Sequence, residues 1–376
     1  MRVGLVVTGG VDRSGRERVI PALLWLIERL ARLHDVHVFV LHHEAQPSTY
    51  SLLGATVHDL GRVRAWPGLR RAIQRRRLLR AVEGIGGVDV LHGYWGLPGA
   101  AAVRVAQQLG VPSVISASSG EWVSLPDIQY GLQRRWWDRR AVAAAMRGAS
   151  AVTVGTDWVK SMAATHGVTA RVIPMGVPRI VDAAGVDMSP DRPPEGPPWR
   201  LMHVASINPV KDHDTLLRAF AHVRRTVPDV HLDIVGADTR NGEAARLVDA
   251  LGLRGQVVFH GFLPNDALGS MWARAHVHVV SSRHEGAGVA ILEAAMAGVP
   301  TVGTHVGHVA DGAPHRAVAV PAGDAPALGD ALLQVLADPE RRALLASTAR
   351  TWALAHDADW TAAAFDALYR EVTKRS

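Results

Sequence analysis

Short β-rich segments alternate with segments of helical periodicity along almost the whole chain, and this alternation restricts the fold more than any other feature. Residues 2–7 (RVGLVV) and 36–41 (VHVFVL) are rich in branched apolar side chains, as buried strands are. Between them, residues 19–33 carry apolar side chains at helical spacing. Strands that alternate with helices form parallel sheets covered by helices on both faces. The predicted fold class is therefore α/β.

A proline-rich segment divides the chain. Residues 189–198 (SPDRPPEGPP) hold five prolines in ten positions, which neither a helix interior nor a sheet centre accommodates. The alternation restarts after it, and 376 residues exceed what one compact core usually holds. We predict two α/β domains at residues 1–180 and 200–355, a linker at residues 181–199, and a last helix at residues 356–376. Further strands are predicted near residues 88–91, 113–116, 151–154, 171–173, 201–204, 232–235, 257–260, 277–280, 301 and 317–320.

Composition excludes several classes of protein. The chain has no cysteine, so it contains no disulfide, no thiolate zinc site and no cysteine nucleophile. Its 48% hydrophobic and 20% charged residues are typical of a globular protein. No apolar run reaches the ~18–20 residues that span a bilayer, and the opening MRVGLVVTGG favours a strand over a signal peptide. We expect a cytoplasmic protein.

The positive charge of the chain is concentrated in two segments. The formal net charge is +6, and residues 62–80 alone carry eight arginines. Residues 133–140 read QRRWWDRR. One interpretation is a solvated helix face. The other is peripheral contact with an anionic membrane at its inner face, because indole rings and arginines favour the headgroup region. No nucleic-acid motif accompanies the charge, so we expect no nucleic-acid partner. The residues of the membrane hypothesis are Arg70, Arg71, Arg75, Arg76, Arg77, Trp136 and Trp137.

The segment RHEGAGVAILEAAMAGVPTV, residues 283–302, places two carboxylates in a sequence that is otherwise apolar. Glu285 follows the predicted strand at residues 277–280, at the edge where parallel sheets bind ligands. A helix is expected to start near Val289, where its free N–H groups could hold a phosphate. Glu293 is expensive to bury unless hydroxyl groups donate to it. The alternative is a surface loop glutamate at 285 and a helix-end ion pair at 293.

These residues carry a family resemblance. HEGAGVAILEAAMAGVPTVGT resembles the E-x7-E signature of the retaining GT-B glycosyltransferases of family 4. VASINPVKDHDTLLRAF, LDIVGAD, LGLRGQVVFHGFLP and VAVPAGDAPAL are similar to further family motifs, in the family's order, and VIPMGVP and DVLHGYWGLPGAAA extend the resemblance into the first half. The resemblance implies two Rossmann-like domains facing a central cleft. The first would bind the acceptor and the second the nucleotide sugar, with the last helix packed back on the first domain.

The resemblance also implies roles for individual residues. Glu293 takes the position that binds the nucleotide ribose, Glu285 the position near the transferred sugar, and Lys211 the position that neutralises the diphosphate, a fixed cation where charge develops. The other implied contacts are Gly286, Ala287, Gly288 and Val289 for sugar and phosphate, Gly10 and Gly15 for the diphosphate, Phe262 and Leu263 for the base, and His92, Ser119 and Gly120 near the acceptor and sugar.

Three positions depart from the family pattern. Ser206 stands where the family has an arginine, which leaves diphosphate neutralisation to Lys211. Ser119-Gly120 replaces a histidine-glycine pair that contacts the donor sugar, and Ala287 replaces a phenylalanine. These changes bear on the identity of the donor sugar, but they remove neither glutamate nor the lysine.

No metal or cofactor is predicted. Asp212-His213-Asp214 spells D-x-D, but Asp214 is interpreted as a helix N-cap or first-turn carboxylate. The histidines show no spacing that brings three or four zinc ligands together. A Rossmann oxidoreductase is disfavoured because TGGVDRSG lacks G-x-G-x-x-G.

The implied activity is retaining transfer of a hexose from a UDP- or GDP-linked sugar to a lipid-linked or cell-envelope acceptor. The alternatives are a nucleotide-sugar isomerase, similar to a 2-epimerase, and a degenerate binding module, because a fold does not fix a reaction.

Overall fold

The computed structural model describes residues 1–118, 120–179, 195–264 and 267–375. The chain divides into two compact units, Met1–Gly176 together with Ala358–Ser376, and Val177–Asp357. The sequence placed these boundaries at residues 180 and 355. Of the predicted linker, residues 181–194 lie outside the described residues. Its last residue, Trp199, is instead the first residue of a strand, because its backbone pairs with Val230.

Within the described residues, the first unit has an eight-stranded sheet. It is parallel except for one antiparallel edge pair, and β1 at its centre places Val3 opposite Val36 of β2 and Val90 of β5. The spatial order is β3-β4-β2-β1-β5-β6-β7-β8. The bounds are β1 (Arg2–Val7), β2 (Asp35–Val40), β3 (Ser48–Leu52), β4 (Ala55–Asp59), β5 (Val90–Tyr94), β6 (Ser113–Ala117), β7 (Ala151–Val154) and β8 (Arg171–Val172).

Helices of the first unit connect these strands, as the alternation predicts. The last helix of the chain joins this unit and packs against the first helix of the chain, and it buries Phe365 and Tyr369. The bounds are α1 (Pro21–Ala31), α2 (Pro67–Gly84), α3 (Gly96–Leu109), α4 (Trp136–Gly148), α5 (Asp157–Thr165) and, at the end of the chain, α13 (Ala358–Lys374).

The second unit has a six-stranded sheet within the described residues, and all its paired strands are parallel. Leu201 of β9 lies opposite both Leu232 of β10 and Val277 of β12, so β9 and β12 occupy its centre. The spatial order is β11-β10-β9-β12-β13-β14. The bounds are β9 (Trp199–Val204), β10 (Val230–Val235), β11 (Val257–Gly261), β12 (Val277–Val280), β13 (Thr301–Thr304) and β14 (Ala317–Val320).

Helices of this unit pack their apolar faces on the sheet around a core that includes Phe220, Leu232 and Leu332. The predicted helical tail after residue 330 is interrupted twice, so that only its final helix belongs to the first unit. The bounds are α6 (His213–Thr226), α7 (Glu243–Ala250), α8 (Gly269–Trp272), α9 (Val289–Met296), α10 (Gly307–Gly312), α11 (Ala325–Ala337) and α12 (Pro339–Ala355).

The α/β class with two parallel-sheet domains is therefore confirmed. The sequence missed the β3–β4 hairpin, and it placed the start of β5 two residues early, at residue 88 instead of Val90. Among the described residues, no helix combines the length and apolar character that crossing a membrane requires.

Candidate functional site

The loop after β12 holds Glu285 in the interior of the second unit. Val280 ends the strand, and Ser281, Ser282, His284 and Glu285 are all buried, with Glu285 only 9% exposed. A surface position for Glu285, the alternative drawn from the sequence, is therefore wrong. A carboxylate this deep requires a compensating partner.

Lys211 is that partner. Its Nζ donates to Oε1 of Glu285 at 2.5 Å, and Ser282 Oγ donates to the same oxygen at 2.6 Å. Burial alone would raise the pKa of Glu285, but the Lys211 charge and the two hydrogen bonds outweigh it and hold the pKa below its ordinary value. The site thus contains an ionised carboxylate and a cation in contact.

Backbone contacts between two loops bring this pair together. Lys211 ends a single 3-10 turn that Asn208 caps, with Oδ1 accepting from the N–H groups of Val210 and Lys211 at 3.1 and 3.3 Å. The Arg283 N–H donates to Val210 O at 2.8 Å, and Ser281 Oγ donates to Lys211 O at 2.7 Å. The loop after β9 is therefore fixed to the loop after β12.

Helix α9 begins beside Glu285. It starts at Val289, as predicted, and Gly288 precedes it with φ +52, a conformation that side chains rarely adopt. No described side chain caps its first turn, so N–H groups at the helix start are available to an anion. Gly307 also approaches closely, since a Cβ on it would lie 2.9 Å from the Glu285 Cβ.

Glu293 lies in the second turn of α9. It is partly buried, and it forms no ion pair with any described residue. Burial raises its pKa from 4.5 to about 7. The helix-end ion pair considered from the sequence is absent from the described part of the chain. A carboxylate in this state gains from hydroxyl donors.

The D-x-D segment serves the fold. Asp212 is the N-cap of α6 and accepts from the Thr215 N–H at 3.2 Å, while Asp214 pairs with Arg218 in the first turn. The first-turn role predicted for Asp214 is confirmed. The neighbouring His203 and His213 rings are buried at a centroid distance of 4.8 Å, and burial lowers the pKa of His203 to about 4 and that of His213 to about 2.

Other predicted donor contacts also lie in the second unit. Ser206 is exposed in the loop after β9, Phe262 is 54% exposed after β11, and Leu263 packs against a core cluster. Ala287 is partly buried between the two glycines of the EGAG loop, and Gly286 is buried. The structure brings together Lys211, Glu285, the EGAG loop and the start of α9. Among the described side chains, no hydrogen bond or ion pair joins Ser206, Phe262 or Leu263 to this group.

Gly10 and Gly15 shape the first loop of the first unit. Both have positive φ, and a Cβ on Gly10 would lie 2.6 Å from an Ile20 side-chain carbon. Gly120 packs on Gly131 and the Tyr130 ring, and Ser119 lies outside the described residues.

The predicted place of His92 near the acceptor and sugar is not supported by its surroundings. It is fully buried, and its ring nitrogens lie 2.6 Å from the Tyr369 hydroxyl and 2.7 Å from the Ser116 hydroxyl. Burial lowers its pKa to about 3. Because both nitrogens are occupied inside the sheet, His92 fixes α13 to β5 and is not assigned a ligand contact.

The sequence missed a polar cluster at the carboxyl edge of the first sheet. Asp12, His43 and Glu44 each offer one ligand atom within 4.8 Å of the others, a spacing that a metal ion could use. Arg18 pairs with Asp12 and Glu44. Burial would raise the pKa of Asp12, but hydrogen bonds from Ser14 and His43 and the Arg18 charge lower it to about 2. The absence of a metal remains a prediction.

The arginines of the membrane hypothesis divide into two groups. Arg71 pairs with Asp138 of α4, and Arg77 donates to Leu60 O at 2.7 Å, so both hold the fold together. Arg75 and Arg76 are exposed on α2, and Trp136 and Trp137 are 60% and 43% exposed.

Comparison with known proteins identifies the family. The model of the glycosyl transferases group 1 matches residues 188–352, and that of the glycosyl transferase 4-like domain matches residues 19–176. A D-inositol 3-phosphate glycosyltransferase of Frankia alni is 30% identical over 301 residues, which cover 72% of each chain. The chain belongs to the group 1 glycosyltransferases.

Other relatives agree with this assignment. A GDP-mannose-dependent phosphatidylinositol monomannoside mannosyltransferase of Mycolicibacterium smegmatis is 35% identical over 159 residues, which are 39% of this glycosyltransferase and 41% of that protein. Among solved structures, sucrose-phosphate synthase of Thermosynechococcus elongatus matches with a TM-score of 0.81 at 20% identity over the whole of both chains. Anabaena HepE, solved with UDP-glucose, matches at 0.72 and 16% identity over 100% of this chain and 99% of its own. These neighbours show the GT-B fold.

Proposed function

We propose that this glycosyltransferase binds a nucleotide-diphosphate sugar at the carboxyl edge of its second sheet and transfers a hexose with retention of anomeric configuration. The observation that carries the proposal is the buried Lys211–Glu285 pair beside the uncapped start of α9. A cation, free helix N–H groups and an ionised carboxylate match the diphosphate and hydroxyl groups of such a donor.

Each part of this site has a proposed task. Lys211 binds the diphosphate oxygens and stabilises the negative charge that develops on them as the glycosidic bond breaks. The EGAG loop and the start of α9 hold the α/β-phosphates and sugar hydroxyls. Glu293 accepts from ribose hydroxyls, and Phe262 and Leu263 line the base pocket.

The acceptor proton has a proposed destination. The departing diphosphate takes it on the face from which the sugar leaves, so the protein needs no strong base at this position. Glu285, already ionised and hydrogen-bonded, orients the sugar hydroxyls near the reacting carbon. Because Ser206 carries no charge, Lys211 is the main cation of this mechanism, which we propose to be metal-independent.

The similar proteins support a proposal for the donor base and for the acceptor. One relative is named for GDP-mannose and a phosphatidylinositol acceptor, and one fold neighbour was solved with UDP-glucose. We therefore propose a UDP- or GDP-linked hexose and a lipid-linked or cell-envelope acceptor. Exposed Arg75, Arg76, Trp136 and Trp137 support peripheral contact of a cytoplasmic protein with an anionic membrane.

A nucleotide-sugar panel tests the donor site. Thermal shift with UDP- and GDP-sugars should identify a stabilising donor, and release of the matching nucleoside diphosphate should follow when acceptor is added. Glu293→Ala should weaken nucleotide binding, and Lys211→Ala should lower both turnover and diphosphate affinity. Glu340→Ala, an exposed carboxylate on α12, is the matched control. Unchanged binding and turnover in both site variants would refute the assignment.

The same assay separates the alternatives. An isomerase would convert the donor sugar without an acceptor, and a degenerate binding module would bind the donor without consuming it. Activity that survives EDTA supports metal independence, and activity restored only by a divalent ion contradicts it.

Vesicle binding tests the proposed membrane contact. Co-sedimentation with phosphatidylglycerol vesicles should fall in Trp136→Ala/Trp137→Ala but not in Trp360→Ala, whose exposed indole lies on α13.

A further inference from the structure

A cavity of about 470 Å³ lies among α2, α3 and α4 of the first unit. This volume falls within the ~300–1,000 Å³ of typical small-molecule sites. Its floor is formed by Thr8, Leu41 and His42, which directly follow β1 and β2. None of the residues assigned to donor binding lines it, so it is separate from the site described above.

The sequence of the helices creates this space. The buried residues of α2 are Leu78 and Val82, both in its second half, so the first half of α2 does not pack on the core. Facing it, α3 and α4 present small side chains that leave the volume unfilled. These side chains are Ala100, Ala101, Val103, Ala141, Ala144 and Ala145. Most of the cavity wall is therefore apolar.

Every charged group that lines the cavity is positive. Arg70, Arg71 and Arg75 contribute from α2 and Arg104 from α3, and no lining residue among those described is a carboxylate. Asp138 pairs with Arg71 from outside the lining. The remaining arginines of this rim form no ion pair with a carboxylate in the described part of the chain. An apolar wall with an uncompensated cationic rim is complementary to an anion that carries a hydrocarbon part.

His42 also lines the cavity. Its Nδ1 is buried and finds no hydrogen-bond partner among the described residues. Burial and the charges of Arg70 and Arg62 lower the pKa of His42, which favours its neutral form.

We propose that this cavity binds an anionic amphiphile, with its phosphate or carboxylate head against Arg70, Arg75 and Arg104 and its hydrocarbon chain against the alanines of α3 and α4. The cavity floor lies at the carboxyl edge of the first sheet, where substrates of parallel sheets bind. That this amphiphile is the sugar acceptor rests on the proposed function, whereas its binding does not.

Octyl phosphate below its micelle concentration is the probe, and isothermal titration calorimetry on the full chain is the measurement. Octyl phosphate should bind, while inorganic phosphate and octyltrimethylammonium should bind much more weakly, because each lacks one half of the chemistry. Equal binding of the cationic amphiphile would overturn the proposal.

Two variants test the place of binding. Ala101→Trp should abolish binding by filling the cavity, and Ala363→Trp, at an exposed position on α13, is its control. Arg104→Gln removes one charge from an exposed side chain that the fold does not need, and it should weaken binding about tenfold. Its control is Arg147→Gln, exposed on α4 outside the cavity. Octyl phosphate affinity unchanged in both Ala101→Trp and Arg104→Gln would refute the site.

Two further arms complete the design. Nucleoside diphosphate should bind every cavity variant as it binds the wild type, because these substitutions lie outside the proposed donor site. If the wild type binds no nucleoside diphosphate, the donor site is refuted, and octyl phosphate binding can still be measured. Vesicles containing phosphatidic acid distinguish the source of the ligand. If Ala101→Trp reduces binding to these vesicles, the cavity takes a hydrocarbon chain from the bilayer. If Ala101→Trp loses octyl phosphate binding but keeps vesicle binding, the ligand is a free amphiphile.

Discussion

Glu293 is the residue whose protonation most directly reports on the proposed donor site. Burial raises its pKa from 4.5 to about 7, so the unfolded chain releases this proton at a lower pH than the folded chain does. Its contribution to stability is therefore fully present below pH 4.5 and is lost as the pH rises through about 7.

Glu293→Gln should remove this dependence. The free energy of unfolding of the variant minus that of the wild type should increase by about 2–3 kcal/mol between pH 5 and pH 8. One pKa unit corresponds to about 1.4 kcal/mol. Urea denaturation of both proteins at the two pH values measures it, and other titrating groups cancel in the difference. Parallel pH profiles would contradict the raised pKa.

Lys211 and Glu285 form a second residue-scale test. Lys211→Met leaves the Glu285 carboxylate buried with Ser282 as its remaining hydrogen-bond donor, and should reduce the free energy of unfolding by about 3–5 kcal/mol. The loss should shrink as the pH falls, because without the Lys211 charge burial raises the pKa of Glu285 and favours its protonated form.

A double-mutant cycle isolates this pair. Lys211→Met/Glu285→Gln should recover most of the lost stability, because no charge is left unpaired. The exposed pair Asp214–Arg218 supplies the control, since Arg218→Met should change stability little. Additive effects of the two substitutions at 211 and 285 would mean that the pair is not coupled.

At the level of residues, the sequence predicted the features that depend on local order. Glu285 and the start of α9 were predictable because strand, glycine loop and helix are consecutive. The contact of Lys211 with Glu285 joins positions 74 residues apart, and the resemblance supplied the roles but not the ion pair. His92 was misassigned because its partner, Tyr369, lies 277 residues away, and the Asp12–His43–Glu44 cluster draws on two loops that meet only in the folded sheet.

Elements were predicted well where burial is continuous along them. β1, β7 and β12 are almost wholly buried and largely apolar, and β2 buries its four apolar residues, which periodicity detects. β3 (STYSL) is an edge strand with mostly polar, partly exposed side chains, so it carries no such signal. The register of such an edge is set by its partner strand rather than by its own sequence.

Helix α10 supplies a prediction at the element scale. It starts at Gly307, where φ is +50 and a Cβ would lie 2.9 Å from the Glu285 Cβ. Gly307→Ala should therefore displace α10 from the EGAG loop, lower the free energy of unfolding by about 2–4 kcal/mol and weaken nucleotide binding.

Gly323→Ala is the matched control for this substitution. Its φ is +80, but nothing lies within 4 Å of the added Cβ. It should cost about 1 kcal/mol from backbone strain alone and leave nucleotide affinity unchanged. If chemical denaturation gives the same loss for both variants, the close approach to Glu285 has no energetic consequence.

Across the whole molecule, the chain order and the structural units do not coincide. The second unit is one continuous segment, Val177–Asp357, but the first is completed by Ala358–Ser376. Within that segment, α13 buries Phe365, Leu368 and Tyr369 in the first unit. Helical periodicity predicts α13 as a helix, but its place in the first unit came from the resemblance, because amphipathicity does not specify which surface a helix covers.

This arrangement predicts different behaviour for two fragments. Residues 177–357 should fold alone, whereas residues 1–176 should not, because each large apolar side chain left without α13 forfeits about 1.5–3 kcal/mol against a total stability of about 5–15 kcal/mol. A synthetic peptide of residues 358–376 should restore cooperative unfolding to fragment 1–176, as followed by circular dichroism. The Tyr369→Phe peptide, which lacks the hydroxyl bound to His92, should do so with about tenfold lower affinity. Cooperative unfolding of fragment 1–176 without any peptide would show that α13 is dispensable to the first unit.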